Sequence, residues 1–526
     1  MQGKWKGSQL ERRRFLKYTW GAVGASMALS LLPGERAQAK GRFGKNPFTL
    51  GVASGDPTAT GIVLWTRLAP EPTNPAALGR WPIPVRWRVG TDPSLRKEVA
   101  RGTAIASVQL AHSVHVELDG LKPRRDYWYQ FDAGGEESAI GHFRTAAHTH
   151  DAVELLKFAA VTCQDWPSGF YTAYRDMLQQ DLDLVLHLGD YTYEYAIGEN
   201  NRGPVPLGFE RECVDLETYR LRHTLHKLDP DLQSAHAKFA FGAIWDDHEV
   251  QNDYSGLAPE YAEPSPAFSA RRAAAYQAYY EHMPVRLALA GRPTPSLRIY
   301  RTFRYGGLVE LNLLDDRQYR DDNPCGDGEA VRCPEALRDD YSMLGAPQER
   351  WLHDNFSRSK ARWNVVAQQL LLAELEHQPY GDELYWNDAW DGYPQARKRL
   401  FDSVLATELQ NPVFLTGDWH STFVNDLKLD FKDPRSPTIA TELVTPAITT
   451  GGDGTPYGPY YGPMIPYNPH IKYFEGDRRG YFAATVTPAQ IELELRFVSS
   501  VERQDGVGAR EATFVIEDGV PGAQRA

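Results

Sequence analysis

Four short polar motifs, each following a run of apolar residues, constrain the fold of this chain most. They are Thr162–Asp165, Gly189–Tyr193, Asp246–Glu249 and Gly417–His420. In an open α/β sheet, ligands collect at the carboxyl ends of the strands, so side chains from distant parts of the chain can meet there. Because the motifs offer thiolate, carboxylate, phenolate and imidazole donors, we expect one metal-binding crevice.

From about residue 153, predicted strands alternate with predicted helices. Apolar runs with the length of buried strands lie at 155–161, 182–188, 241–245, 309–314, 365–367 and 413–416. Segments with helical periodicity lie at 170–180, 216–239, 267–282, 347–360 and 395–410. Later β segments at 438–444 and 481–498 would close a second sheet. This alternation predicts a layered α/β sandwich over residues 153–500, followed by a C-terminal tail at 501–526.

Residues 45–147 have the pattern of a small all-β module. Short runs such as 61–65 and 85–89 alternate inward and outward residues and are separated by turn clusters. The stretch 118–129 resembles the corner before a late strand in fibronectin type III sandwiches. We therefore expect a fibronectin- or immunoglobulin-like β-sandwich that packs against the α/β domain or shapes the entrance to a site there.

The first 39 residues resemble an export signal. Arg12–Arg14 precede a weakly apolar run, and the small residues Ala37 and Ala39 follow at the positions that a signal peptidase favours. This pattern predicts a twin-arginine signal peptide that the translocase recognises, cleaved after Ala39, and hence a periplasmic or secreted protein. The apolar run is too short for a stable membrane span.

The charge of the chain excludes two classes of partner. Removing the signal, with its seven basic and two acidic residues, changes the formal net charge from -12 to -17. An acidic protein repels polyanions, so we expect no binding of nucleic acid, other than as a substrate, or of anionic membranes. Any bound phosphate must be neutralised locally, and bound cations would do this.

The chain has four cysteines, too few for a disulfide scaffold at this length. Cys325 and Cys333 lie in a Pro/Gly/Asp-rich insertion where a short disulfide loop is plausible after export. Cys213 is expected to be structural or a free thiol. Cys163 could be a small buried hydrophobic residue, but its position after a strand also makes it a candidate ligand.

The motif residues have metal-binding chemistry. Asp190 can bridge two cations with its two oxygens, and the phenolate of Tyr193 suits ferric iron. Adjacent Asp246 and Asp247 repel each other unless a cation or hydrogen bonds stabilise both, although Asp247 could merely cap a helix.

In the last motif, Asp418 and His420 lie two residues apart and can hold neighbouring metals. The alternative for His420 is a buried structural histidine.

Together the motifs are similar to the calcineurin-like metallophosphoesterase plan, with three departures. Cys163 replaces the first metal-binding Asp, Asp247 replaces the Asn, and Asp418 replaces the first His of the last motif. Exchanging an imidazole for a carboxylate makes the second site rich in oxygen, which favours calcium.

From Val52–Pro57 through the last motif, the chain resembles the PhoD-type alkaline phosphatases. This resemblance implies a phosphomonoesterase and phosphodiesterase that uses one Fe3+ ion with Ca2+ ions. By the same resemblance the iron ligands are Cys163, Asp190, Tyr193 and His420, with Asp190 bridging, and the calcium ligands are Asp247 and Asp418.

Four further residues have two interpretations each. Asn252 and Asp253 are calcium candidates or a simple turn. Arg317 could bind phosphate bidentately or form an ion pair with Asp315 or Asp316. His248 could protonate the leaving oxygen or orient a ligand.

The predicted reaction is attack on a phosphate ester by hydroxide that the bound cations generate. Small-molecule, lipid or teichoic phosphate esters are the expected substrates. A phospholipase D-like phosphodiesterase is the alternative enzyme, and Trp166, Trp245 and Trp419 could line its cleft or pack in the core. An exported carbohydrate-binding or adhesive protein is a third hypothesis. The tyrosine-rich segment 449–473 is expected to be a long irregular loop, whose role as a lid is open.

Overall fold

The computed structural model describes residues 43–74, 76–286, 296–378, 380–454 and 457–526. The export signal predicted at residues 1–39 lies outside these ranges. Within them, no helix combines the length and apolar character needed to cross a bilayer.

The strands of the described residues number 24 and run through the whole described chain. In chain order they are β1 (Val52–Gly55), β2 (Ile62–Arg67), β3 (Ile83–Gly90), β4 (Glu98–Ala106), β5 (Ser113–Leu118), β6 (Asp126–Ala133), β7 (Glu136–Glu137), β8 (Gly141–Arg144), β9 (Leu156–Val161), β10 (Leu184–His187), β11 (Ala240–Ala243), β12 (Arg301–Tyr305), β13 (Val309–Leu313), β14 (Glu329–Val331), β15 (Trp363–Gln368), β16 (Leu384–Trp386), β17 (Pro412–Thr416), β18 (Thr422–Lys428), β19 (Thr438–Val444), β20 (Ile471–Glu475), β21 (Gly480–Val486), β22 (Gln490–Val498), β23 (Gly508–Glu517) and β24 (Gln524–Arg525).

Helices lie between the strands where the sequence shows helical periodicity. They are α1 (Thr172–Met177), α2 (Leu216–Lys227), α3 (Pro230–Lys238), α4 (Pro266–His282), α5 (Gly345–Arg358), α6 (Pro394–Ala406) and α7 (Tyr457–Tyr461), with 3-10 turns at Val108–Leu110, Pro334–Leu337, Trp390–Gly392 and Gly462–Tyr467. The single helix predicted at 216–239 is two helices, because Pro230 starts a new one and Asp229 caps it with its side chain.

A ten-stranded sheet, which we call sheet 1, has the strand order β24-β23-β22-β21-β9-β10-β11-β1-β2-β5. Strands β9, β10 and β11 are parallel and lie side by side. Their register aligns Val161 with His187 and His187 with Ala243. Each of the first three motifs follows one of these strands closely, so the register brings the motifs to one edge.

A seven-stranded sheet, which we call sheet 2, has the order β12-β13-β15-β17-β19-β18-β20. One apolar cluster contains side chains of both sheets, including Val161, Leu186, Val365 and Leu415, so the sheets pack face to face. Helices α2 to α4 contribute to the sheet 1 core, and α5 and α6 pack on the outer face of sheet 2. This arrangement confirms the predicted layered α/β architecture.

The N-terminal β module is joined to sheet 1. Strands β3, β4, β6, β7 and β8 form a separate sheet, but β1, β2 and β5 belong to sheet 1, where β1 pairs with β11. The Tyr127 hydroxyl accepts a hydrogen bond from the Lys122 amide at 2.9 Å, which is the contact expected of the predicted fibronectin-like corner. The module is therefore continuous with the sheet that positions the site.

Three local predictions need correction. The tail predicted at 501–526 instead forms β23 and β24 at the edge of sheet 1, because alternate apolar residues of β23 are buried. The segment 481–498 extends sheet 1 rather than a second sheet, since β21 pairs with β9. The stretch 449–473 contains α7, a 3-10 turn and the start of β20, because its tyrosines pack. The Cys325–Cys333 disulfide is confirmed.

A group of buried histidines lies on strand β10 and on helices α2 to α4. Burial lowers the pKa of each of them, and those of His187 and His223 fall to about 3. The group consists of His187, His223, His226, His236 and His282. These imidazoles are therefore neutral in the folded protein at neutral pH.

This burial predicts a loss of stability in acid. Unfolded histidine takes up a proton below about pH 6.5, whereas folded His187 and His223 do not until about pH 3. The stabilisation is thus complete above pH 6.5 and is lost as pH falls, by about 1.4 kcal/mol per pH unit for each histidine. Measuring the free energy of unfolding from pH 7.5 to 5 should give a shallower slope for His223→Asn than for wild type. The exposed-site control His148→Asn should keep the wild-type slope, and an unchanged slope in His223→Asn would contradict the account.

Candidate metal centre

The site is built at the carboxyl ends of strands from both sheets. Cys163 follows β9, Asp190 follows β10 and Asp246 follows β11, all in sheet 1, and Asp418 follows β17 of sheet 2. A parallel bridge between Thr162 and Ala447 joins the two sheets beside this edge. The fold therefore brings all four predicted motifs to one place.

Four of the predicted ligands have strained backbone. The φ angles of Cys163, Asp190, Asp418 and His420 are 54°, 57°, 59° and 54°, in the left-handed region. Such residues cost about 1–3 kcal/mol each and persist only where the surroundings hold them. Their clustering indicates a functional site, because the strain aims side chains of short turns into the crevice.

The first group of donors contains sulfur, oxygen and nitrogen. Ligand atoms of Cys163, Asp190 and His420 all lie within 4.8 Å of one another. The Tyr193 hydroxyl donates to Asp190 Oδ2 at 2.7 Å and lies 3.3 Å from His420 Nε2. The thiol and the phenol predicted to meet do therefore reach the same small space.

The second group consists of carboxylates. Oxygens of Asp190, Asp246, Asp247 and Asp418 all lie within 4.8 Å of one another. Among them, Asp190 Oδ1, Asp246 Oδ2 and Asp247 Oδ1 are buried and accept no hydrogen bond from the described residues. Buried acceptors without donors are costly, and a cation would satisfy them. The side chains present thus fit metal ions.

The electrostatics of the cluster agree with this conclusion. Burial raises the pKa of the Asp190 and Asp418 carboxyls well above the ordinary range, and nearby carboxylates raise both further. Burial, followed by the charge of Asp190, likewise raises the pKa of the Cys163 thiol. Burial, followed by the charge of His248, lowers the pKa of His420 to about 3. Without added positive charge, burial therefore favours the protonated forms of Asp190, Asp418 and the Cys163 thiol.

Arg317 lies inside the cluster, and neither predicted ion pair was correct. Its guanidinium is fully buried and bonds both oxygens of Asp388 at 2.7 and 2.8 Å, as well as Asp246. It also lies 3.3 Å from Asp418 Oδ1 and 3.4 Å from Asp247 Oδ1. Asp315 and Asp316 instead accept main-chain and glutamine hydrogen bonds, because their own turns face those groups. All three guanidinium nitrogens of Arg317 thus contact carboxylates, and a phosphate-binding role for Arg317 stays a prediction.

His248 is buried against Tyr193, with ring centroids 4.1 Å apart and ring planes tilted by 32°. Its Nδ1 is hydrogen-bonded to Glu194 Oε2 at 2.8 Å. Burial lowers the pKa of His248, but the negative charges of Asp247, Glu194 and Asp190 outweigh that effect and raise this pKa well above its ordinary value. His248 thus forms an ion pair with Glu194 beside the cluster.

The turn after this motif is held close to the cluster. The Asn252 amide donates to Glu194 Oε1 and the Asp253 amide donates to Asp247 Oδ2, at 2.8 and 2.7 Å. Only main-chain atoms of the two residues make these contacts. The backbone of Asn252 and Asp253 therefore forms the predicted turn, and a calcium role for their side chains stays a prediction.

Glu249 joins two of the ligand-bearing turns. Its carboxylate accepts hydrogen bonds from the main-chain amides of Asp190, Tyr191 and Asp246 at 3.1, 2.6 and 2.7 Å. The side chain is 1% exposed. One carboxylate thus sets the distance between the turn after β10 and the turn after β11.

Three contributors to the site were not predicted from the sequence. Glu249 belongs to the motif Asp246–Glu249 but had no predicted role, and Glu194 directly follows Tyr193. For both, the available signal was closeness in sequence to a predicted metal ligand. Asp388 lies in a turn without a recognisable pattern, and only the fold brings it to Arg317. The three tryptophans proposed for a cleft pack in apolar clusters instead, with Trp245 stacked on Tyr276 at 4.2 Å.

Comparisons with known proteins identify relatives over nearly the whole chain. A family model described as PhoD-like phosphatase matches residues 158–495, and one described as PhoD-like phosphatase, N-terminal domain, matches residues 35–147. Alkaline phosphatase D of Bacillus subtilis (strain 168) is 40% identical over 525 residues, which cover 99% of this chain and 90% of that protein. A solved structure described as "Structure of PhoD" aligns with a TM-score of 0.87 at 40% identity, covering 92% of both chains.

The fold and the crevice define a phosphoric ester hydrolase with a cluster able to hold metal ions. The chain belongs to the PhoD-like phosphatase family. The sequence-based prediction of an alkaline phosphatase of this type is therefore confirmed, and the hypothesis of a binding or adhesive protein is not supported.

The contacts of Glu249 predict a strong effect of Glu249→Gln. The amide nitrogen would face main-chain N–H groups and leave buried donors unpaired, which costs about 1–3 kcal/mol. We expect a lower free energy of unfolding and a large fall in phosphate ester hydrolysis, since the two turns lose their common anchor. The control Glu263→Gln changes an exposed carboxylate and should behave as wild type. Unimpaired hydrolysis by Glu249→Gln would contradict the role of this anchor.

Proposed function

We propose that this hydrolase uses one ferric ion together with calcium. Iron would be held by Cys163, Asp190, Tyr193 and His420, and calcium by Asp190, Asp247 and Asp418, with Asn252 as a further ligand. The observation that supports this most is the convergence of a thiol, a phenol, an imidazole and a carboxylate within one small buried space.

The donor chemistry separates the two metals. Thiolate, phenolate and imidazole suit a transition metal, whereas calcium prefers several carboxylate and amide oxygens. The group of Asp190, Asp246, Asp247 and Asp418 contains only carboxylates. Asp190 belongs to both groups, which suits a carboxylate that bridges two cations.

When bound, such cations lower the pKa of water and offset negative charge on the phosphoryl oxygens. The residues of the chain would place the reaction around them. Arg317 holds Asp246, Asp388 and Asp418 in a fixed arrangement and offsets part of their charge. His248, oriented through Nδ1 by Glu194, would deliver a proton from Nε2 to the leaving oxygen.

The sharpest test replaces the sulfur. Cys163→Ser exchanges a thiolate donor for a poorly ionised hydroxyl, so we expect loss of iron, retention of calcium and a fall in hydrolysis of at least a hundredfold. Cys213→Ser is the matched control, because Cys213 is the other buried free cysteine of the described residues. Metal content by elemental analysis and hydrolysis of a phosphomonoester and a phosphodiester would be measured on both. Full iron content in Cys163→Ser would refute the assignment.

We propose further that the enzyme is exported folded by the twin-arginine translocase and acts on small-molecule, lipid or teichoic phosphate esters outside the cytoplasm. The paired arginines before an apolar run support this route.

Replacing Arg12 and Arg13 by Lys should leave the enzyme inside the cell with its signal uncleaved. Fractionation followed by detection of the full-length chain checks this outcome. Unchanged export of the doubly substituted chain would contradict the proposed route.

A further inference from the structure

A short tyrosine-rich segment lies beside the metal-centre residue His420. We call residues 457–467, which form α7 and the 3-10 turn after it, the tyrosine strap. Tyr457 Oη lies 3.0 Å from His420 Nδ1. Tyr461 of the strap stacks on Trp419, with ring centroids 5.9 Å apart. The strap therefore contacts two consecutive residues of the last motif.

The arrangement of hydrogens around His420 defines the role of this contact. The Tyr193 phenol donates its one hydrogen to Asp190 Oδ2 in this structure and would carry none as an iron ligand, so in both states it has no hydrogen to give to His420 Nε2, which lies 3.3 Å away. A neutral imidazole carries a single N–H group, and a ring that binds metal through Nε2 must carry it on Nδ1. Tyr457 Oη is the acceptor in reach of that Nδ1–H group.

We propose that Tyr457 is a positioning residue that fixes both the tautomer and the ring orientation of His420. By accepting the Nδ1–H hydrogen bond it holds the Nε2 lone pair toward Cys163 and Asp190. This inference rests on the proposed iron site. Partners of this kind raise the basicity of a ligating histidine, and losing one typically costs 10–100-fold in metal affinity or activity.

The strap is itself held in place at its far side. The Tyr460 hydroxyl donates to Glu329, and His377 Nδ1 contacts the same carboxylate oxygen at 2.6 Å. Glu329 begins β14, within the loop closed by the Cys325–Cys333 disulfide. The Gly458 amide also donates to Asp477 Oδ1 at 3.0 Å. These contacts anchor Tyr457 on a rigid neighbour instead of on a free loop end.

The test compares Tyr457→Phe with Tyr467→Phe in natively exported protein. Tyr467 lies on the same strap and is 42% exposed, so its substitution controls for general effects on the segment. The rate at which each protein loses iron to excess chelator would be followed by elemental analysis, together with kcat and KM. We expect Tyr457→Phe to lose iron 10–100-fold faster than wild type and to lower kcat more than it changes KM, while Tyr467→Phe matches wild type.

Equal rates of iron loss for Tyr457→Phe and Tyr467→Phe would overturn the inference. A wild-type protein without iron would instead overturn the proposed iron site on which it rests, so the two failures are distinguishable. If Tyr457→Phe does not fold, iron loss is measured on Tyr460→Phe instead. That variant removes the hydrogen bond that anchors the strap to Glu329, and it changes a residue that is 47% exposed. Faster iron loss in that variant supports the strap, and a wild-type rate contradicts it.

Discussion

The fold buries several carboxylates together, and the rest of the site must offset the repulsion among them. Asp190, Asp246, Asp247 and Asp418 meet within 4.8 Å of one another, and several of their oxygens accept no hydrogen bond from the described residues. Removing one such charge from water costs several kcal/mol unless a partner offsets it. Arg317 offsets part of this cost, and cations bound by the unpaired carboxylate oxygens would offset the rest.

That cluster is assembled by strand register, by strain and by main-chain anchors. Sheet 1 aligns the ends of β9, β10 and β11, and a left-handed residue of the site follows β9 at Cys163 and β10 at Asp190. Glu249 then ties the turns after β10 and β11 together. Since β1 of the N-terminal module pairs with β11, that module supports the same edge of the sheet.

Much of this arrangement follows from the sequence, because the apolar runs of parallel strands are long enough to recognise and each is followed by a polar motif. The strands of the core, the meeting of the four motifs and the fibronectin-like corner were predicted, and the disulfide was judged plausible. The pairing of β1 with β11 and of β23 with β22 was not predicted, since the residue pattern of a strand does not identify the strand that it pairs with. Nor were the partners of Arg317, because Asp388 reaches it from a turn whose sequence has no periodicity.

The central claim is that the sulfur of Cys163 and the phenol oxygen of Tyr193 bind the same ion. X-ray absorption at the iron edge of natively exported protein tests it most directly. The account predicts one sulfur neighbour together with oxygen and nitrogen neighbours around a ferric ion. An iron surrounded only by oxygen and nitrogen, or no iron at all, would contradict it.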